Sequence, residues 1–167
     1  MRAVVQRVKN ASVTVDGTVT GSIKNGLLIY LGVANEDDEA LCVKMANKIA
    51  KLRIFVDADD KMNLSVQDIG ASILVVSQFT LYANLHKGNR PSYDGAGEPK
   101  HAEKLYEYFL KVLEEMGFET CHGVFGAHMH VEMFPLTPSA STSRLNGPTD
   151  LTCPFSSVIA PPPRLLP

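Results

Sequence analysis

The sequence predicts an α/β fold: a mixed domain of largely antiparallel β-layers, in a β/β/α arrangement, with two main helices packed on one side. Strand-like apolar runs recur along the first 134 residues, and turn dipeptides separate several of them. Two further segments repeat apolar residues at helical spacing. At 167 residues the chain has the length of one domain and can bury a sizeable core.

Strands are predicted throughout the N-terminal part. Valines at alternating and adjacent positions predict a first strand over residues 2–8, and residues 12–15 continue as a second extended piece. The Asp-Gly pair at 16–17 is flanked by β-branched residues and predicts a hairpin. An Asn-Gly turn at 25–26 precedes residues 27–33, whose length and composition predict a buried strand.

Two helices follow from capping signals and apolar stripes. Asn35 is the expected cap of the first, and the acidic run at 36–39 suits the positive end of the helix dipole better than a metal site. The stripe of the first helix extends to Leu52. The second and longest helix is predicted to open at Pro99 and to stop at Gly117.

Shorter strands are predicted at 53–56, 118–121 and 128–134. The polar loop at 57–63 has an Asp-x-Asp-Asp spacing that hints at calcium. However, Met62 and Asp68 stand where an EF-hand needs glycine and glutamate, so we interpret it as a loop.

The most chemically suggestive stretch is the central strand, predicted over residues 73–82. Its first four residues are large and apolar, which suits a strand buried on both faces. Ser77, Gln78 and Thr80 then add two hydroxyls and an amide, and each such group buried without a partner costs about 1–3 kcal/mol. Either they are satisfied within the chain or they bind a ligand. The pattern predicts a polar pocket at the end of the strand, followed by a basic loop at 87–91 that can grip phosphate.

Three histidines, at 122, 128 and 130, lie close together in sequence. Three imidazoles can bind zinc, but this spacing matches no closed structural site. We therefore expect exposed or hydrogen-bonded histidines, no metal and no cofactor. The nucleophile-elbow pattern Gly-x-Ser-x-Gly is also absent from the sequence.

Net charge, hydropathy and cysteine content limit the partners and the cellular compartment that the sequence predicts. The net charge of −2 is unusual for a general polyanion binder, so any contact with RNA is expected at a local patch. No apolar run reaches the ~20 residues that span a bilayer, and no signal peptide is visible. Three scattered cysteines suggest free thiols in a reducing compartment. These features predict a cytoplasmic protein without a membrane partner.

Several motifs resemble one known family. The pentapeptide Ser-Gln-Phe-Thr-Leu at 77–81 is similar to the signature of the D-aminoacyl-tRNA deacylases. Segments 1–8, 87–91, 123–127 and 129–131 are similar to that family as well, in the same order and spacing. The resemblance covers residues 1–134, which we take as a deacylase-like domain. It implies a homodimer with the active site at the interface.

The resemblance implies a reaction. The expected activity is hydrolysis of the ester that joins a D-amino acid, or glycine mischarged on tRNA-Ala, to the 3′ terminal adenosine of tRNA, a proofreading step in translation. Main-chain N–H groups near Phe79 and Thr80 would stabilise the oxyanion. Thr80 would position water or act as nucleophile, with help from the substrate's 2′-hydroxyl, while Ser77 and Gln78 would hold the adenosine or the pocket backbone and Phe79 would form an apolar wall.

Further residues are assigned to substrate binding by the same resemblance. Phe125 and Met129 are expected to contact the substrate, and Arg7, Lys87 and Arg90 are expected to contact RNA.

The resemblance ends after Phe134. Eight of the ten prolines lie from Pro135 onward, so residues 135–167 form a divergent Pro-rich segment that is either disordered or covers an exposed strand edge. In the family, a Gly-Pro pair with a cis peptide bond projects carbonyls into the partner subunit's pocket, binds the α-amino group and excludes L-residues. The candidates for it are Pro138 and the pair Gly147-Pro148.

The change at this point has three open explanations. The motif is displaced by an insertion, the late Gly-Pro pair is accidental, or the reading frame has changed. The altered ending leaves an alternative function, a non-catalytic tRNA- or nucleotide-binding module on the same scaffold. A third possibility is a generic small-ester hydrolase.

Overall fold

The computed structural model describes residues 1–86 and 88–136, together with the main chain of 142–146. Within these residues, the chain forms nine strands, two α-helices and one 3₁₀ turn. In chain order they are β1 (Arg2–Val15), β2 (Thr18–Ile23), β3 (Gly26–Gly32), α1 (Glu39–Ala50), β4 (Phe55–Val56), β5 (Met62–Leu64), β6 (Ser72–Ser77), the 3₁₀ turn (Phe79–Tyr82), α2 (Pro99–Glu115), β7 (Thr120–His122), β8 (Met129–Pro135) and β9 (Thr142–Asn146).

The long strand β1 is shared by four antiparallel partners. Its first half lies between β3 and β9, and its second half lies between β2 and β8. From β3 the sheet continues in parallel through β6 to β7. The predicted first and second strands are therefore one continuous strand, and the mixed, largely antiparallel α/β prediction is confirmed.

The sheet curls until its two ends nearly meet. A Cβ atom on Gly21 of β2 would lie only 2.6 Å from the main-chain oxygen of His122 in β7. Contacts that short are not tolerated by a side chain, so glycine at this position allows the ends of the sheet to come together. The result is a nearly closed sheet with an interior and an exterior face.

Both faces of the central strands are buried, as the apolar runs predict. Leu27 and Ile29 of β3 pack in the cluster that includes the buried faces of α1 and α2. Leu28, between them in sequence, packs instead with Leu74 and with Val8 and Val13 of β1 inside the curled sheet. The two helices cover one face of the sheet, which confirms their predicted placement.

Turn and capping chemistry fix most element ends. Asp16 and Gly17 have φ of 48° and 78°, which confirms the hairpin. Helix α2 begins at Pro99 as predicted, and Gly117 follows its end with φ of 88°.

The predicted cap of α1 is wrong. Asp38 caps the helix by accepting a hydrogen bond from the N–H of Leu41, at 2.8 Å. Asn35 accepts the N–H of Glu98 instead, so a long-range contact takes the side chain that the local pattern assigned to the helix. Asp37, which is buried, contacts the ammonium group of Met1.

The central strand is shorter than predicted. β6 ends at Ser77, and residues 79–82 form a 3₁₀ turn rather than a strand. The N–H of Gln78 still bonds the Leu31 carbonyl, at 2.8 Å, and the chain then turns. Gly32 leaves room for this turn, since a Cβ there would lie 3.0 Å from the Gln78 oxygen.

The divergent segment contributes β9, whose residues 142–146 pair with residues 2–6 of β1. This strand covers the β1 edge, in line with one of the two expectations for the segment. The division of the chain at residue 134 stays a prediction. Among the described residues, neither helix has the length and apolarity needed to cross a bilayer.

Candidate active site

A cleft of about 1140 Å³ opens where β6 ends and the 3₁₀ turn begins. One wall is the segment 76–81, and the opposite wall is the segment 125–129 that leads into β8. The start of α2 and the loop before it, residues 96–99, close a third side. The predicted pocket at the end of the central strand therefore exists.

The polar side chains of the first wall are partly satisfied by each other. Gln78 Nε2 donates a hydrogen bond to Thr80 Oγ1. A hydroxyl that accepts one hydrogen bond still has its own proton to donate. The cleft therefore presents a Thr80 hydroxyl held in place by a neighbouring amide.

Two main-chain donors lie beside this hydroxyl. The first hydrogen bond of the 3₁₀ turn is donated by the N–H of Leu81 to the Gln78 carbonyl, at 3.3 Å. The preceding N–H groups, those of Phe79 and Thr80, come before the turn's first donor and have no partner within the turn. The cleft wall thus supplies two N–H groups suited to a developing negative charge.

Aromatic pairs line the cleft. The rings of Phe79 and Tyr93 meet edge to face with centroids 5.0 Å apart, and Phe79 is 59% exposed. The rings of Tyr106 and Phe125 lie 5.7 Å apart. Exposed aromatic faces in a cleft suit a flat, partly apolar ligand such as a nucleobase.

The buried tyrosines stay neutral. The Tyr106 hydroxyl donates to the Val75 carbonyl at 2.9 Å, and burial raises the pKa of Tyr106. Burial also raises the pKa of Tyr30, which lines the same cleft.

Since the partner of the Thr80 hydroxyl is an amide, which is not a base, the geometry favours an oriented water over a threonine nucleophile.

The structure brings together six of the residues predicted from the sequence. Ser77, Gln78, Phe79, Thr80, Phe125 and Met129 all line the cleft. A Cβ on Gly123 would lie 2.4 Å from the sulfur of Met129, so this glycine leaves room for the methionine at the cleft edge.

Other predicted residues lie elsewhere. Arg7 is only 5% exposed within β1, and burial lowers the pKa of its guanidinium, so its position gives no support to an RNA contact. Arg90 is exposed in the basic loop and does not line the cleft. Lys87, Pro138, Gly147 and Pro148 lie outside the described residues.

The three histidines do not converge. His122 Nδ1 lies 2.8 Å from the Gly123 carbonyl oxygen, and the rings of His128 and His130 are 6.4 Å apart. In the part of the chain that the structure describes, no three His, Cys, Asp or Glu side chains group as metal ligands would.

Sequence reasoning missed three aromatic residues of the cleft, Tyr30, Tyr93 and Tyr106. Tyr93 follows the basic loop, and nothing near it marks it as a site residue. Tyr106 belongs to the apolar stripe of α2. It is the one residue of that stripe with a polar group, and this was the available signal.

Comparison with known proteins bears on this cleft. A family model described as D-Tyr-tRNA(Tyr) deacylase matches residues 4–139. The D-aminoacyl-tRNA deacylase of Koribacter versatilis is 53% identical over 133 residues, which is 80% of this chain and 89% of that protein. The D-aminoacyl-tRNA deacylase of Thermotoga petrophila is 48% identical over 148 residues, which is 87% of this chain and 99% of that protein.

Two solved structures share the fold. One is described as a c-Myc DNA unwinding element binding protein. It is 39% identical, has a TM-score of 0.82, and is matched over 89% of this chain and 99% of its own. The other is described as a probable eukaryotic D-amino acid tRNA deacylase. It is 13% identical with a TM-score of 0.74, covers 86% of this chain and 97% of its own, and shows the fold alone.

Proposed function

Because the chain belongs to the D-Tyr-tRNA(Tyr) deacylase family, we propose that it hydrolyses the ester bond of D-aminoacyl-tRNA, releasing the D-amino acid and tRNA. The observation that carries this proposal is the joint presence of Thr80, two main-chain donors and two aromatic pairs in one cleft. Such a hydrolase removes mischarged residues before translation uses them, which is proofreading. We place this activity in the cytoplasm, where charged tRNA is used.

The reaction begins with the ester carbonyl oxygen against the N–H groups of Phe79 and Thr80. Water, oriented by the Thr80 hydroxyl, adds through its oxygen to the carbonyl carbon. The resulting oxyanion is stabilised by the two donors, each worth about 2.7–4 kcal/mol in enzymes where one was removed. The bond from carbon to the ribose oxygen then breaks, and that oxygen takes up the proton released by water.

The hydrogen-bond partner of the Thr80 hydroxyl is the Gln78 amide, which is not a base. An aminoacyl ester is already activated, so modest assistance is enough. We assign the proton transfer to the neighbouring 2′-hydroxyl of the substrate's own ribose.

The adenosine is held by the aromatic pairs. Phe79, which is 59% exposed and meets Tyr93 edge to face, offers an aromatic surface on one wall, and Phe125, backed by the buried Tyr106, offers another on the opposite wall. Met129 completes the apolar edge of the site. Stacking of a base on an aromatic side chain contributes about 1–3 kcal/mol.

We assign RNA contact beyond the adenosine to the basic loop at 87–91. Arg90 is exposed there, three residues before the cleft residue Tyr93, and Lys87 precedes Arg90 by three residues in the sequence. With a net charge of −2, the chain has no general attraction for polyanions, so we expect it to grip only the end of the tRNA.

We further propose a homodimer with the cleft at its interface. Phe79 lines the cleft, Val124 precedes its 125–129 wall, and Phe134 lies farther along β8; these large apolar side chains are 59%, 45% and 64% exposed. Phe134→Glu should therefore give a monomer in sedimentation experiments and lower activity. Met62→Glu, on an exposed apolar side chain of β5, is the matched control. A Phe134→Glu dimer of unchanged affinity would contradict this interface.

The central test is deacylation of D-tyrosyl-tRNA and L-tyrosyl-tRNA, with glycine on tRNA-Ala as a third substrate. Turnover of the D-ester with sparing of the L-ester is expected. Binding of tRNA without turnover would instead indicate the non-catalytic module. Equal turnover of a small D-amino acid ester without tRNA would indicate a generic esterase.

A further inference from the structure

A second cavity, of about 490 Å³, lies on the other side of the 3₁₀ turn. We call it the Arg2 pocket. The side chains and segments that line it are Arg2, Tyr82, residues 83–86 and Gly95. The cleft and the Arg2 pocket thus share one four-residue turn: Phe79, Thr80 and Leu81 face the cleft, while Tyr82 lines the pocket.

The guanidinium of Arg2 is held in place at the pocket. It donates through Nη1 to the Leu81 carbonyl at 2.8 Å and lies 4.4 Å from the centroid of the Tyr82 ring. Both partners are uncharged, so neither forms an ion pair with it. Among the described residues, the ion pairs join other groups, and Asp37 is engaged by the Met1 ammonium. A fixed guanidinium with donors to spare recognises phosphate oxygens.

The other residues of the pocket are also held in place by packing and hydrogen bonds. The Tyr82 ring packs beside two glycines: a Cβ on Gly32 would lie 3.2 Å from it, and one on Gly95 3.5 Å. Asn84 and Ser92 exchange main-chain hydrogen bonds of 2.8 and 3.0 Å, which close the base of the basic loop. The Asn84 side chain accepts the N–H of His86 at 2.9 Å, which fixes the pocket rim.

We propose that the Arg2 pocket binds the nucleotide that precedes the terminal adenosine of tRNA, with Arg2 on its phosphodiester and the Leu85–His86 rim against its base. This rests on the proposed deacylase function. A cation that tracks the backbone beside side chains that contact bases is the usual design of a single-strand site. The shared turn places the pocket directly next to the adenosine cleft, as consecutive nucleotides require.

The test compares a substrate that carries the pocket's proposed ligand with one that lacks it. D-tyrosyl-tRNA carries the preceding nucleotide, whereas D-tyrosyl-adenosine carries neither that nucleotide nor its phosphate. Arg2→Gln removes the charge but keeps an N–H donor for the Leu81 carbonyl. Leu85→Glu adds a negative charge at a side chain that is 62% exposed. Val19→Glu adds the same charge at a 58% exposed side chain that lines neither cavity.

Both pocket variants should lower kcat/KM for D-tyrosyl-tRNA about tenfold, the loss expected for one charge-assisted contact. They should leave D-tyrosyl-adenosine within about twofold of wild type, and Val19→Glu should match wild type on both substrates. Equal losses on both substrates would overturn the proposal, because Arg2 would then only support the turn. Unchanged kcat/KM on both substrates would overturn it as well.

A binding measurement separates this proposal from the deacylase function. The affinity for uncharged tRNA is measured against salt concentration, which needs no turnover. Arg2→Gln should reduce the slope of log affinity against log salt by about 0.7, the value for one phosphate contact to a single strand. An unchanged slope overturns the pocket, whereas a reduced slope in a chain that hydrolyses neither substrate overturns only the deacylase activity.

Discussion

The hydrogen bond from Gln78 to Thr80 sets which atoms of the cleft stay available to a substrate. It uses the amide of Gln78 and one lone pair of the hydroxyl, and it leaves the hydroxyl proton and the nearby N–H groups. The polar stretch 77–80 could be found from the sequence because its members are adjacent in the chain. Tyr93 and Tyr106 could not, since only folding brings them to the same cleft.

Thr80→Val tests the hydroxyl directly. Valine keeps the shape of threonine and removes the group that orients water, so kcat for D-tyrosyl-tRNA should fall about 10²-fold, the low end of the range for such assistance. KM should change little. Thr80→Ser should restore most of the rate, and Thr18→Val, on an exposed residue of β2, serves as the matched control. A Thr80→Val protein with wild-type kcat would contradict the assigned role.

Cys42 gives a second prediction at this scale. It is fully buried, and burial disfavours the thiolate and raises the pKa of the thiol to about 12. Only about one Cys42 thiol in 10⁴ is then ionised at pH 8. Iodoacetamide should leave Cys42 unmodified in the folded protein, even when the pH rises to 9, and should modify it after unfolding in urea. Peptide mass mapping reads out the site, and rapid native modification of Cys42 would show that it is accessible.

Among the elements, those with strong local signals were predicted well. Helix α2 is marked by residues typical of a helix start and a helix end. The strands β3 and β6 are marked by unbroken apolar runs. The predicted end of β6 was wrong because the chain turns after Ser77, and the room for this 3₁₀ turn is left by Gly32, a residue distant in sequence. The predicted cap of α1 was wrong because the Asn35 side chain accepts a hydrogen bond from the N–H of Glu98 instead.

Gly26→Ala tests the close pairing of β3 with β6. A Cβ at this position would lie 1.9 Å from the main-chain oxygen of Ser72, so the two strands must separate to admit it. The free energy of unfolding in urea should fall by about 1–3 kcal/mol, as for other overpacked sites. Gly95→Ala is the control, since its Cβ would meet only the Tyr82 ring at 3.5 Å. Equal stability of the two variants would refute the close contact.

At the scale of the molecule, the sheet depends on β1, which carries β2 and β8 on one half and β3 and β9 on the other. This arrangement was not predictable from the sequence. The local pattern shows where strands occur, but pairing between distant strands follows from packing of the whole chain. The predicted division at residue 134 leaves β9 outside the deacylase-like part, although β9 covers the edge of β1.

Truncation tests whether β9, which lies in the divergent C-terminal segment, stabilises the sheet. A protein ending at residue 146 keeps β9 and should retain its melting temperature. One ending at residue 136 exposes the hydrogen-bonding groups of residues 2–6, so it should melt earlier and aggregate. Thermal unfolding with light scattering measures both effects. Identical behaviour of the two proteins would mean that β9 contributes nothing to the sheet.

The pairing of β1 with β9 also has a consequence for biosynthesis. Residues 2–6 leave the ribosome well before the strand that completes their edge, Thr142–Asn146, has been made. Contacts so distant along the chain slow folding, and an unpaired edge meanwhile attracts other nascent chains. Final closure of the sheet therefore waits until residues 142–146 have been made, and transient chaperone protection of the unpaired edge of β1 should raise the yield.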